Sequence, residues 1–277
     1  TRSISIEREE KLMKSNKWKF LLTGAATLTL LSACTQASSQ SATKSNTAQT
    51  TATSTSKNKT NSSNYFTDKD KDTSYDESKA STVKLSGSSA SVSGDGVAVS
   101  GSTVTISKAG TYVISGESNG VQIKVEAGDS DDVHIVLKGV TMTNTNAPIS
   151  ATKAGHVYLT LADGTTNTLS DSSSNNDEDA DAVIFSKGDL TINGSGTLNI
   201  DAKKNNGIKA NDTLHITGGT YKITAVGDAF NVNDELNITG TTMTIDADED
   251  AVKVDNDDDT SVGTMYLSDN KITITAG

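Results

Sequence analysis

Through the second half of the chain, apolar and polar residues alternate in short runs, and the runs recur. Four lines open with Asp181-Ala-Val-Ile-Phe185, Asn206-Gly-Ile-Lys-Ala210, Asp228-Ala-Phe-Asn-Val232 and Asp250-Ala-Val-Lys-Val254, which start 25, 22 and 22 residues apart. Each line carries three alternating segments. In the first, Val183/Phe185 align with Ile208/Ala210, Phe230/Val232 and Val252/Val254. In the second, Leu190/Ile192 align with Leu214/Ile216, Leu236/Ile238 and Met265/Leu267. In the third, Leu198/Ile200 align with Tyr221/Ile223, Met243/Ile245 and Ile272/Ile274.

Alternation at period two marks a strand with one buried face. The lack of 3.6-residue spacing and the many β-branched residues weigh against helices. A fixed repeat in this range marks a solenoid. Three strands per turn, joined by Gly, Asn, Asp and Thr corners, predict an all-β, right-handed parallel β-helix of about 22 residues per coil. Each large inward side chain contributes about 1.5–3 kcal/mol before entropy is subtracted. One coil cannot exclude water from its own core, so coils must stack.

Upstream, strands without the 22-residue period occupy residues 83–126, separated by glycine turns; they are expected to form an N-terminal β cap. A long loop is expected at 170–180 and an insertion of 7 residues within 256–263. The predicted domain spans 80–277. Its last strand stops where a fifth opening is due, so the domain is expected to continue beyond this sequence.

The first 79 residues read differently. Lys14, Lys17 and Lys19 precede an apolar run and then Leu31-Ser-Ala-Cys34, which resembles a bacterial lipobox. Residues 13–33 are therefore expected to be a signal peptide and Cys34 the lipidated first residue of an extracellular protein held to the cell membrane by its lipid. Residues 1–12 fit no signal pattern and are expected to come from translation upstream of Met13. Residues 34–79 are rich in Ser, Thr, Asn and Lys and are expected to be a disordered tether, with a mean span of about 35–40 Å. Tyr65, Phe66 and Tyr75 have no predicted partner there.

The formal charge is −11. After Cys34 there is no arginine, and carboxylates outnumber lysines. That excludes the basic patches nucleic acid requires. The acidic residues gather at coil corners. On strands about 4.8 Å apart, files of carboxylates repel and need a partner. Calcium suits them, because it takes six to eight oxygens in flexible geometry. Candidate ligands are Asp179, Asp181, Asn206, Asp228, Asp248, Asp250 and Asp255. The competing view is that Asp and Asn simply cap corner backbone groups. His134, His156 and His215 read as isolated surface strand residues.

Three further stretches, Ala109-Gly-Thr-Tyr-Val-Ile-Ser-Gly116, Val136-Leu-Lys-Gly-Val-Thr141 and Asn146-Ala-Pro-Ile149, accompany the Asp-Ala-Val openings. Together they resemble the secreted clostridial-type carbohydrate-binding β-helix proteins, which look like pectate lyases and carry calcium. The resemblance covers about residues 83–277 and includes no catalytic motif. It implies calcium-dependent binding of cellulose or an acidic polysaccharide such as polygalacturonate; with the lipobox, the expectation is a non-catalytic, polysaccharide-binding lipoprotein, taken as a monomer.

Flat sugar rings stack on aromatics. With Trp18 in the signal peptide, Tyr112, Tyr158 and Tyr266 are the available platforms, and Tyr158 and Tyr266 should face outward. Lys209 and Lys253 stand outward on the first strand, with Asn231 between them. In an alternative reading they would serve as the base of a polysaccharide lyase; neutralising nearby Asp residues is the simpler role. A surface adhesin for protein ligands is a third class.

Overall fold

A computed structural model describes residues 65–277. Apart from one helical turn at Asp68–Lys71, the regular structure among these residues is β. Most strands fall into three files. The first holds Ile149–Lys153, Ala182–Ser186, Asn206–Ala210, Phe230–Val232 and Val252–Val254. The second holds His156–Leu161, Leu190–Gly194, Thr213–Thr217, Glu235–Thr239 and Thr264–Ser268. The third holds Thr166–Ser170, Thr197–Ala202, Thr220–Ala225, Thr242–Ala247 and Lys271–Ala276.

Within each file a strand pairs in parallel with its counterpart one repeat later. The second and third files belong to one 14-stranded sheet, because Asp132–Thr143 pairs with both. The first file continues through Gln122–Glu126 and Thr103–Ile106 to Val97–Ser100, giving an eight-stranded sheet.

The register stacks like on like. Leu190, Leu214, Leu236 and Met265 form one row, and Ile192, Ile216, Ile238 and Leu267 another. Leu198, Tyr221, Met243 and Ile272 form a third. The inward rows merge into one apolar core running from Val83 to Ala247. Parallel pairing ends at the N-terminal side in two antiparallel hairpins, Ser81–Gly87 with Ser89–Ser93 and Val97–Ser100 with Thr103–Ile106. They occupy the place of the expected cap. Tyr112 belongs to this core, with its hydroxyl donating to the Lys108 carbonyl at 2.8 Å, so it is no sugar platform. At one corner Gly194 has φ 100°, and a Cβ there would sit 2.2 Å from the Leu161 carbonyl oxygen. Only glycine fits.

Two expectations are corrected. In the first file Ile184, not Val183, pairs with Ile208, and Phe185 pairs with the outward Lys209. Phe185 packs outside the main core, against Ala147 and Ala180. Residues 170–180 form the expected loop, and its end covers this strand, so both faces of Ala182–Ser186 are buried. With every residue apolar or small and buried, alternation carries no face signal, and a one-residue slip goes unseen.

The second correction concerns residues 65–79, assigned by composition to the tether. They lie against the outward side of the second file. Phe66 and Asp70 are buried, and Thr67 and Asp70 form a reciprocal capping box around the short helix. One turn of helix is not stable alone. The sheet beneath supplies its stability.

Candidate functional site

Outward residues of the second file form two rows in strict register. One runs His134, Tyr158, Thr191, His215, Asn237, Tyr266. The next runs Val136, Thr160, Asn193, Thr217, Thr239, Ser268. The first row starts and ends near aromatic rings and has hydrogen-bonding side chains between them. His134 and His215 are therefore not isolated, as the sequence suggested; they share a row. His156 also joins it, with its ring stacked on Tyr158 at 4.1 Å.

Residues 65–75 form a strap along the first row. The Tyr65 ring stacks on Tyr266, and Phe66 meets His215 edge-on at 5.5 Å. Asn237 Nδ2 donates to the Tyr65 carbonyl at 3.0 Å. Thr191 Oγ1 donates to Asp70 Oδ1 at 2.6 Å. Asn193 Nδ2 donates to the carbonyls of Asp70 and Asp72, at 3.2 and 3.0 Å, and Thr217 Oγ1 to that of Asp70 at 2.8 Å. Lys69 lies 4.6 Å over the Tyr158 ring and pairs with Asp132. Tyr75 meets His134 edge-on.

The electrostatics centre on one pair. His215 Nδ1 lies 3.2 Å from Asp70 Oδ2, close enough for an ion pair though off-axis for a regular hydrogen bond. Burial pulls the His215 imidazole down, but contacts with Asp70 and Glu235 outweigh it and raise the net value above the ordinary 6.5. Burial alone would raise the Asp70 carboxyl; His215, Thr191 and Thr67 together hold it well below the usual carboxylate range. Burial lowers His134 and His156. Tyr158 is pushed up to about 12 by burial and by the nearby carboxylates.

Where the strap bends away, it leaves a cavity of about 250 Å³ between itself and the sheet. Lys69, Asp72, His134 and Tyr158 line it, together with Thr111 and Asp132.

Tyr158 and Tyr266 thus stand on the outward rows as the alternation implies, but Tyr158 is buried beneath Lys69 and Tyr266 is half-covered by Tyr65. Lys209 and Lys253 lie on a different file, in register with Asn231 between them. Lys209 pairs with Asp181 at 2.7 Å, and Lys253 lies 3.8 Å from Asp255.

Two of the corner residues accept backbone amides. Asn206 Oδ1 accepts from the Asp228 amide at 3.2 Å, and Asp228 Oδ1 from the Asp250 amide at 3.1 Å. Asn231 Nδ2 donates to the second Asp228 oxygen at 2.7 Å. Asp179 donates its amide to Asp177. Asp179, Asp248, Asp250 and Asp255 have exposed side chains. Among the described residues, no three His, Cys, Asp or Glu side chains gather to hold a metal ion. Asp181 accepts from Lys209 Nζ and Asn205 Nδ2, so its carboxylate is engaged by side chains rather than backbone. Cys34 lies outside the described residues.

Sequence reasoning missed the strap's residues, Tyr65, Phe66 and Asp70, and the buried hydrogen-bonding residues beneath it, Thr191, Asn193 and Asn237. The aromatics at 65 and 66 beside an Asp-rich turn were the available signal.

Comparison with known proteins gives relatives described as carbohydrate-binding and as polysaccharide lyase-like. A relative from Acetivibrio thermocellus, described as a carbohydrate-binding domain-containing protein, is 38% identical over 126 residues. The match covers 43% of this chain and 44% of that relative, so the chain spans under half its length. A solved structure of a polysaccharide lyase-like protein from C. thermocellum, a gadolinium derivative, aligns with a TM-score of 0.67 at 34% identity. The alignment covers 70% of this chain and 81% of that one. The profile of the carbohydrate-binding domain-containing proteins matches residues 100–277, well over half the chain. The chain belongs to the carbohydrate-binding domain-containing protein family.

Proposed function

We propose that the protein binds polysaccharide without cleaving it, on the outer surface of a right-handed parallel β-helix that Cys34 tethers by lipid to the outside of a bacterial cell. The observation that carries this reading is the outward row from His134 to Tyr266. It offers flat rings near its ends and amide, hydroxyl and imidazole donors between them, one per strand. Sugar rings stack on aromatic faces, and their oxygens accept hydrogen bonds. Membership of a carbohydrate-binding family and likeness to a polysaccharide lyase-like protein support the same ligand class.

A lyase would need a base near the α-proton of a uronate. Lys209 is engaged with Asp181, and Lys253 has Asp255 beside it, which supports binding over cleavage.

Retention on pectate gel and on cellulose tests the proposal. The protein should be retained on at least one, with no ultraviolet-absorbing unsaturated product, and chelator should not release it. Unsaturated product would establish a lyase instead. Passage through both matrices, with capture by an immobilised protein ligand, would favour an adhesin.

A further inference from the structure

We infer that the strap, residues 65–75, occupies in cis a binding site for a uronate-containing glycan, and that ligand must displace it. This deepens the proposed polysaccharide binding and rests on it. Three observations carry it.

The first is the polarity of the contact. A hydroxyl has one proton to give. Thr191 gives its proton to Asp70, so its contact with His156 Nε2, at 2.9 Å, is one it accepts. Thr191, Asn193, Thr217 and Asn237 all donate to the strap, where the acceptors are one carboxylate and three carbonyls; Asn237 Nδ2 also reaches Glu235 on its own strand. A bank of donors on strands about 4.8 Å apart matches a linear chain of sugar oxygens. The carboxylate, seated between Thr191 and His215, is where a uronate carboxylate would bind.

The second is the aromatic stack. Tyr65 lies face to face on Tyr266, centroids 3.8 Å apart and planes 6° from parallel. A flat ring held parallel on a platform tyrosine is the position of a stacked sugar.

The third is independence. The main apolar core contains no residue of the strap. Inward rows such as Leu190, Leu214 and Leu236 are complete without it. The strap covers the outward face of a sheet whose main core is complete without it, with Tyr75 on a small apolar cluster of Val113, Val136 and Ala162, and leaves the cavity by Tyr158 and His134 open beside it. That cavity gives an incoming chain its first foothold.

The test compares the full chain with a Phe66→Ala/Asp70→Ala variant, which loosens the strap and leaves the sheet residues intact. The probe is a polygalacturonate oligomer. The loosened variant should bind at least tenfold more tightly, and adding Tyr266→Ala should remove the gain. On the unaltered chain, saturating oligomer should accelerate hydrogen exchange of residues 65–72, the reverse of ordinary ligand protection. This second measurement stands even if the variant fails to fold. Unchanged or weaker binding by a folded variant, or slower strap exchange, overturns the inference and leaves binding elsewhere on the domain. An equal gain for neutral cello-oligosaccharides overturns the uronate assignment. No binding of polygalacturonate by either protein overturns this inference alone; no binding of cello-oligosaccharides either overturns the proposed function with it.

Discussion

Asp70, from a segment rich in Ser, Thr and Asp, sits against His215 in the middle of the second strand file, Oδ2 to Nδ1 3.2 Å, with the carboxylate almost wholly buried. Residues far apart in the chain share one buried charge pair. Breaking such a pair costs more than making it gained, because the remaining charge stays in poor solvent. Asp70→Ala should therefore weaken the docked strap by about 2–3 kcal/mol, the range for a charged hydrogen-bonding group. Exchange rates of amides 65–72 should rise by one to two orders of magnitude, and those of the strands beneath should not change.

The same pair makes docking pH-dependent. Around His215 stand Asp70 and Phe66 from the strap, Glu235 and Asn237 from one neighbouring strand and Thr191 from the other, with His156 beyond. The folded value of His215 is raised, so its contribution is complete below the ordinary 6.5 and is lost as pH climbs through the raised value. The folded value of Asp70 is lowered, so its share is present above the ordinary 3.8 and is lost only in stronger acid. The strap should be held best between these limits. Protection factors of the strap amides, corrected for the intrinsic pH dependence of exchange, should be lower at pH 8.5 than at pH 5.5, and His215→Gln should remove most of the difference.

Asp228 distinguishes a backbone cap from a metal ligand. Its Oδ1 accepts the Asp250 amide, as Asn206 Oδ1 accepts the Asp228 amide one repeat earlier. Asn and Asp do the same work in this ladder. Asp228→Asn should change stability by less than about 0.5 kcal/mol, and Asp228→Ala should cost about 1–3 kcal/mol. Chelator should alter neither result in urea unfolding. A large loss in Asp228→Asn that chelator abolishes would restore calcium at this corner.

In the core, Ile216 is fully buried between Ile192 and Ile238 in its row. Ile216→Ala should cost about 2–5 kcal/mol by urea unfolding. Tyr65→Ala, on the outer surface, should cost little more than the stacking itself, about 0.5–1.5 kcal/mol, and should free the start of the strap.

The files were legible because their inward rows repeat residue class at a fixed interval: Leu190, Leu214, Leu236 and Met265 reveal strand, register and stacking at once. The legibility failed where a second layer intrudes. Phe185 is covered by Ala147 and Ala180, so its strand lost the alternation that marks faces. Thr191, Asn193 and Asn237 read as solvated and are buried, because what buries them lies more than a hundred residues upstream. Apart from the aromatics at 65, 66 and 75, the composition of residues 65–79 gives no sign of that order. Their apolar content is too small to fold locally, and they are held by single long-range contacts such as Tyr65 on Tyr266 that leave no period to read. At the corners, Asp and Asn look alike in sequence whether they cap an amide or ligate an ion. The Asn206–Asp228–Asp250 ladder shows the capping pattern at this corner.

Titration calorimetry of the full chain with polygalacturonate oligomers, followed by analysis of the sugar recovered from the cell, tests the account most directly. Saturable heat with the oligomers returned at their original length is the predicted result. An absence of heat with both polygalacturonate and cello-oligosaccharides, or shortened and unsaturated chains in the recovered sugar, would contradict it.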